Sequence, residues 1–162
     1  MRLLAFSLLM TLSIACRVTG DTTGTHLTTM VRGDLMFLEL HINDKPGLFL
    51  VDTGAGISVI DINQTSKYGI RFFEGGNTGT LEGLGGAQSV LPIGKVRIQY
   101  QGYVLKGLRF YGVDLGSLNR RFEKDGMRIL GVIGADFLSK RRAVIDFESH
   151  QIEVELKRYA IE

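Results

Sequence analysis

The chain has 162 residues, enough for one domain with its own core, and 44% of them are hydrophobic against 22% charged. Lysine and arginine total 19 and aspartate and glutamate 17, a net charge of +2 that offers no electrostatic footprint for nucleic acid. The single cysteine, Cys16, rules out an internal disulfide, and 21 glycines beside 2 prolines suit a chain of short strands joined by tight turns.

The chain opens "MRLLAFSLLMTLSIAC", with one basic residue, Arg2, before an apolar run from Leu3 to Ala15. That run is too short to span a bilayer comfortably and has the length of a signal-peptide core, so residues 1–15 are expected to direct export to the periplasm or cell envelope. The ending "LSIAC" resembles a bacterial lipoprotein signal, cut before Cys16 so that its thiol takes a lipid and tethers the protein to a membrane. Ser13 stands where such signals usually carry Leu. An ordinary signal peptide cut after Ala15 or near Gly20, or a buried N-terminal strand, are the alternatives. Residues 16–26, rich in Thr and Gly and without apolar periodicity, read as a flexible spacer, which leaves 27–162 as the folded domain.

Within that domain "HLTTMVR" and "LMFLELHI" are strand candidates, and "NDKPG" is a turn punctuated by Pro46 and Gly47. "LFLVDT" and "ISVID" flank a glycine turn. "INQTSKYG" reads as one or two helical turns with Asp61 as N-cap and Gly69 as stop. A glycine-rich span, "EGGNTGTLEGLGGAQSV", precedes the strands "KVRIQYQG" and "VLKGLRFYGVDL", and "GSLNRRFEKDG" has room for a short helix. "RILGVIGADFLSKRR", "AVIDF" and "QIEVELK" close the chain, the last two joined by a turn at Glu148-Ser149-His150. Strands at this spacing predict an all-β fold, a barrel or sandwich.

The segment "GLFLVDTGAGISVI" places a carboxylate, Asp52, between an apolar strand and a glycine turn. Burying a lone carboxylate is costly, so Asp52 either caps the turn or does chemistry. A sharp turn is expected at Gly54 and Gly56, where a side chain would obstruct the backbone, leaving Asp52 at a strand-to-loop corner facing a cleft.

"LVDTGAGISVI" resembles the active-site loop of the retropepsin-like aspartic proteases. Their second motif has its counterpart in "VIGADFL", Val132 to Leu138, which opens a short helix. "EGLGGAQ" resembles the flap, a glycine-tipped hairpin, with Gly83, Leu84, Gly85 and Gly86 expected to cover substrate; "AVIDF" and "QIEVELK" fit the closing strands. Viral members often carry an Asp two places after the motif glycine and an Arg after the glycine of the second motif. Here those positions are Gly56 and Ala135, both partners missing together, so the chain looks like a bacterial, single-lobe variant.

The resemblance implies an aspartic endopeptidase that needs no metal or cofactor and acts on peptides or unfolded protein. Only one "DTG" is present, so the second catalytic carboxylate would be Asp52 of another copy in a two-fold homodimer. Thr53 would bond across the pair, and Gly54 would offer backbone groups to substrate. A catalytically weak peptide-binding module on the same fold is the alternative. Asp136 reads as a cap of the short helix, and Asp114 and Asp146 as structural. His26, His41 and His150 are scattered without metal-ligand spacing.

Overall fold

The computed structural model describes residues 22–73, 78–83 and 86–157. The signal segment, Cys16, and the tip pair Leu84 and Gly85 lie outside the described residues. The fold is mostly β, with a three-stranded and a ten-stranded sheet.

Strand β1, Thr22–Thr28, pairs antiparallel with β13, Gln151–Lys157, which also pairs with β12, Val144–Asp146. The spacer expected over 16–26 is therefore corrected for its second half: Thr22 to His26 belong to β1, ahead of the expected domain start at Leu27. The Thr- and Gly-rich segment has no period of its own and takes its conformation from the ladder with β13.

In the larger sheet β2 (Met30–Arg32), β3 (Leu35–Ile42) and β4 (Lys45–Val51) form a meander. The β3–β4 turn is Asn43-Asp44, with φ of 49° and 67°, the two positive values that a two-residue type I′ hairpin demands. Pro46 and Gly47, expected to punctuate this turn, lie inside β4 opposite His41 and Leu40. The strands β5 (Val59–Asp61), β6 (Gly79–Gly83), β7 (Gly86–Pro92), β8 (Ile98–Tyr100), β9 (Tyr103–Val104), β10 (Tyr111–Val113) and β11 (Ile129–Ile133) complete the sheet. Their order is β6-β7-β10-β5-β11-β4-β3-β8-β9, with β2 beside β3. Among the described residues β6 and β9, the two ends of this order, do not pair with each other. The run "VLKGLRFYGVDL" is not one strand but contributes Val104 to β9 and Tyr111–Val113 to β10, with Gly107 at φ 83° between them.

Alternation along the central strands feeds two clusters. Leu38, Phe49, Ile60 and Ile133 enter one, and their neighbours Phe37, Leu50, Val59 and Val132 enter the other. The centre of the sheet is thus buried on both faces, which is why its strands read as continuous apolar runs. Phe49 stacks on Phe110 at 5.3 Å between ring centroids.

Helices are short. A 3₁₀ helix, Ile62–Tyr68, is capped by the Asp61 carboxyl, which accepts from the Asn63 N–H, and stops at Gly69 in the left-handed conformation. Helix α1, Gly116–Phe122, runs into a 3₁₀ turn at Glu123–Asp125, and α2, Ala135–Lys140, follows the second motif. No helix among the described residues is long and apolar enough to cross a membrane.

Candidate active site

The two motifs sit side by side because β4 and β11 are parallel neighbours, with Val51 opposite Ile133. Each strand ends at the same edge, and the loops that follow meet there. The Asp52 N–H donates to the Ile133 carbonyl at 3.0 Å, and the Ala135 N–H donates to the Ala55 carbonyl at 2.7 Å.

Ser58 joins the loops by its side chain. Fully buried, it accepts from the Gly134 N–H at 3.0 Å and donates to Asp136 Oδ1 at 2.6 Å. Asp136 also accepts from the Phe137 N–H at 2.8 Å, so its carboxyl touches both the first turn of α2 and the loop that carries Asp52; the N-cap position itself is Gly134, not Asp136 as expected, and has no side-chain cap bond. Gly134 is where the two backbones come closest. A Cβ there would lie 2.7 Å from the carbonyl oxygens of both Ala55 and Ile57, a contact that only glycine avoids. The second motif is thus a backbone clamp on the first, and it fixes the corner that carries Asp52.

Asp52 is exposed in the single chain. One carboxyl oxygen, Oδ1, accepts from the Gly54 N–H at 2.8 Å, and no described residue bonds the other. A Cβ on Gly54 would lie 3.2 Å from that Oδ1, tight enough to disturb the contact. Gly56 departs from expectation: nothing lies within 4 Å of a Cβ built there, so the loop's shape does not require glycine at that position.

Asp52 lines a cleft of about 280 Å³. Leu35, Leu50 and Val51 come from β3 and β4, and Leu118, Arg121 and Phe122 from α1. The α1 wall was not foreseen. A helix in that stretch is legible, but nothing local says that its residues reach Asp52. Thr53, also exposed, lines a separate recess with Ala135, Leu138 and Ile145, so the adjacent residues of the loop serve different surfaces.

The flap candidate is an antiparallel hairpin in which Gly83 pairs with Gly86. Residues Gly86 to Ser89 are exposed, and β7 becomes buried only at Val90, so the hairpin stands out from the core.

Larger recesses lie elsewhere, among them one of about 370 Å³ lined by Arg32, Gly33, Phe122 and Asp125. Another of about 410 Å³ is lined by Asp61, Asn63, Asn119 and Arg120, among others, and one of about 500 Å³ by Pro92, Phe110 and Tyr111 with their neighbours. Size does not choose between them and the Asp52 cleft; chemistry does. The Asp61 carboxyl is 1% exposed and accepts five hydrogen bonds: from Asn63 N–H and Nδ2, Gln64 Nε2, Leu115 N–H and Asn119 Nδ2. It has no lone pair to spare for a reactant. Asp114 accepts from the Gly116 N–H and Asn63 Nδ2 and supports the same network. Asp146 accepts from the Ser149 hydroxyl and from the N–H groups of Ser149 and Glu148, which together hold its carboxyl below the ordinary value. Among the described residues no group of three or more His, Cys, Asp or Glu side chains is placed to hold a metal ion.

Comparisons with known proteins bear on the family and the fold. Residues 38–137 match the family described as aspartyl protease. Among solved structures, the chain is similar to a retropepsin-like aspartic protease from Rickettsia conorii, with 15% identity and a TM-score of 0.50 over 85% of this chain and 94% of that one. It is also similar to EIAV protease complexed with the inhibitor HBY-793, at 22% identity and TM-score 0.48 over 70% of this chain and 93% of that one. A third, the retroviral protease-like domain of Ddi1 from Leishmania major, aligns at 15% identity and TM-score 0.41 over 78% and 92%. No curated protein matches the sequence. The matched segment contains the Asp52 loop, the hairpin and the second motif: the chain belongs to the aspartyl protease family and has the retropepsin-like fold.

Proposed function

We propose that the protein is an aspartic endopeptidase that works as a homodimer, activating water between two Asp52 carboxyls, one from each copy. The observation that carries this reading is the state of Asp52: its backbone is clamped by the second motif, while one carboxyl oxygen has no hydrogen-bond partner among the described residues. Peptide hydrolysis needs one group to take a proton from water and another to give one to the carbonyl oxygen. Two carboxyls held together share a single proton, since two like charges at close range resist ionising together; the aspartic proteases are the standard instance of that rule. The carboxylate removes the proton from water, whose oxygen bonds to the carbonyl carbon. The protonated partner then protonates the carbonyl oxygen. Collapse of the tetrahedral intermediate breaks the C–N bond: the carboxyl that took the water proton passes it to the departing nitrogen, and the other carboxylate takes back a hydroxyl proton, which restores the shared-proton pair.

One chain supplies one such carboxyl, and the exposure of Asp52, Thr53 and Gly54 is what a site shared between two copies needs. Thr53 would brace the paired loops, Gly54 would meet the extended peptide, and the Gly83–Gly86 hairpin would close over it and exclude water. No metal or cofactor takes part.

The test uses the full chain, because a chain shortened to begin at His26 would lack the first half of β1. It is incubated with a diverse peptide mixture from acid to neutral pH beside Asp52→Asn, and its oligomeric state is measured. Cleavage is expected from a dimer, best on the acid side of neutral, and reduced about 10²–10⁴-fold or more by Asp52→Asn. Cleavage that survives this substitution, or its absence from a demonstrated dimer at every pH, would overturn the reading.

The N-terminal sequence supports export with lipid attachment at Cys16. A lipid anchor would confine copies to one surface and so favour their pairing. Intact-mass measurement of the protein recovered from membranes decides this: a mature chain beginning at Cys16 and carrying acyl mass is expected, and an unmodified N-terminus rejects it.

A further inference from the structure

We infer that the cleft beside Asp52 favours substrates in which a large apolar residue next to the scissile bond is accompanied by an acidic one, whose carboxylate Arg121 receives. The inference rests on the proteolytic reading above and names the substrate class of the same site. Five of the seven residues lining the cleft are apolar, and Asp52 and Arg121 are the only charged ones. Its volume of about 280 Å³ is near the lower limit for ligand pockets, roughly 300–1,000 Å³, and suits one large side chain rather than a cofactor.

Arg121 stands on a wall that is held in place from behind. Phe122 meets Phe37 edge-on at 5.4 Å between ring centroids. Asn119 bonds both the N–H and the carbonyl of Ile129, and also donates to Asp61 Oδ2. The helix is thereby tied to β11 and to the Asp61 network, while Arg121 itself stays exposed. Among the described residues, the ion pairs formed by arginine are Arg97 with Asp44 and Arg142 with Glu155, and Arg121 has no carboxylate within that range. A recess that shares Phe122 with the cleft is lined by one residue of each charge, Arg32 and Asp125. Arg121 therefore supplies the uncompensated positive charge of this wall.

Asp52 in the same cleft sets where a substrate carboxylate can sit. Near Asp52 it would be repelled, and beside Arg121 it gains a charge-assisted hydrogen bond in a fixed fork geometry. A two-fold dimer presents the cleft twice, so the same preference is expected on both sides of the scissile bond.

The test starts from sites that the full chain cleaves in an Asp52-dependent way. Matched peptides carrying Glu or Lys near the cut are then compared by kcat/KM for the wild type, Arg121→Glu and Arg121→Lys, each shown to be folded by its thermal unfolding. The wild type is expected to favour the Glu peptide by about fivefold or more, Arg121→Lys to keep the same direction, and Arg121→Glu to reverse it. Equal use of the two peptides by the wild type, or a ratio that Arg121→Glu leaves within about twofold, overturns this inference while leaving the proteolytic reading intact. Failure to find any Asp52-dependent cleavage overturns both.

Discussion

Asp52 follows the apolar strand β4 and Asp61 ends the apolar strand β5, yet the fold treats them in opposite ways. Asp61 is buried and accepts from five donors spread over the 3₁₀ helix, the chain entering α1, and α1 itself. Asp52 is exposed and accepts from one donor two residues away. A carboxyl that organises structure is saturated by its surroundings; the catalytic role proposed for Asp52 needs an oxygen kept free while the backbone is immobilised. Exposure by itself does not mark function. Asp146 is exposed and still fully engaged by Ser149 and Glu148. Asp34 and Asp125 are exposed as well, but they lie on a turn and a single 3₁₀ turn, outside the clamp that the second motif provides.

The comparison can be broken at each aspartate in turn. Asp52→Asn is expected to remove proteolysis, the largest effect, while moving the unfolding free energy by no more than about 0.5 kcal/mol, as for other exposed substitutions. Urea titration checks the second half, and a large loss of stability would mean that Asp52 is structural. Asp61→Ala is expected to do the reverse, costing about 3 kcal/mol in urea unfolding because several donors lose their acceptor inside the protein. A cost under about 1 kcal/mol would show that water or rearrangement replaces the hub.

Asp146→Asn should have the smallest effect, and one that depends on pH. The Ser149 hydroxyl, then the Ser149 and Glu148 N–H groups, depress this carboxyl in the folded state. Its contribution is therefore present above the unfolded value, near 3.8, and fades as pH falls through the lower folded value. Thermal unfolding of the two proteins should differ slightly at neutral pH and converge in strong acid. A gap that widens on acidification would reverse the sign of the argument.

Much of this was legible in local sequence. The bounds of β3 and β13, the Asp61 cap with its Gly69 stop, and the Glu148–His150 turn follow from apolar pattern and capping chemistry alone. The β3–β4 turn was misplaced because Pro46 and Gly47 look like punctuation, whereas Asn43-Asp44 supplies the paired positive φ values that close the hairpin. The start of β1 was hidden because Thr22 to Thr25 carry no period and owe their conformation to β13. At the site, "LVDTGAGISVI" and "VIGADFL" marked the two motifs, but not that the second clamps the backbone of the first through Ser58, Gly134 and Asp136. Neither the Asp61 hub nor the α1 wall could be seen there, because their residues come together only when β10, α1 and β11 have packed.

The pairing of β1 with β13 also has a kinetic meaning. Thr22 lies opposite Lys157 and Thr28 opposite Gln151, so the first described strand finds its partner in the last. Closing so long a loop is entropically unfavourable, and contacts of such sequence separation form slowly. During synthesis β1 emerges well before β13 and cannot form this ladder until β13 has left the ribosome. Completion of this sheet is thus a late step, and a chain lacking β13 would hold β1 as an unprotected edge, open to pairing with another molecule.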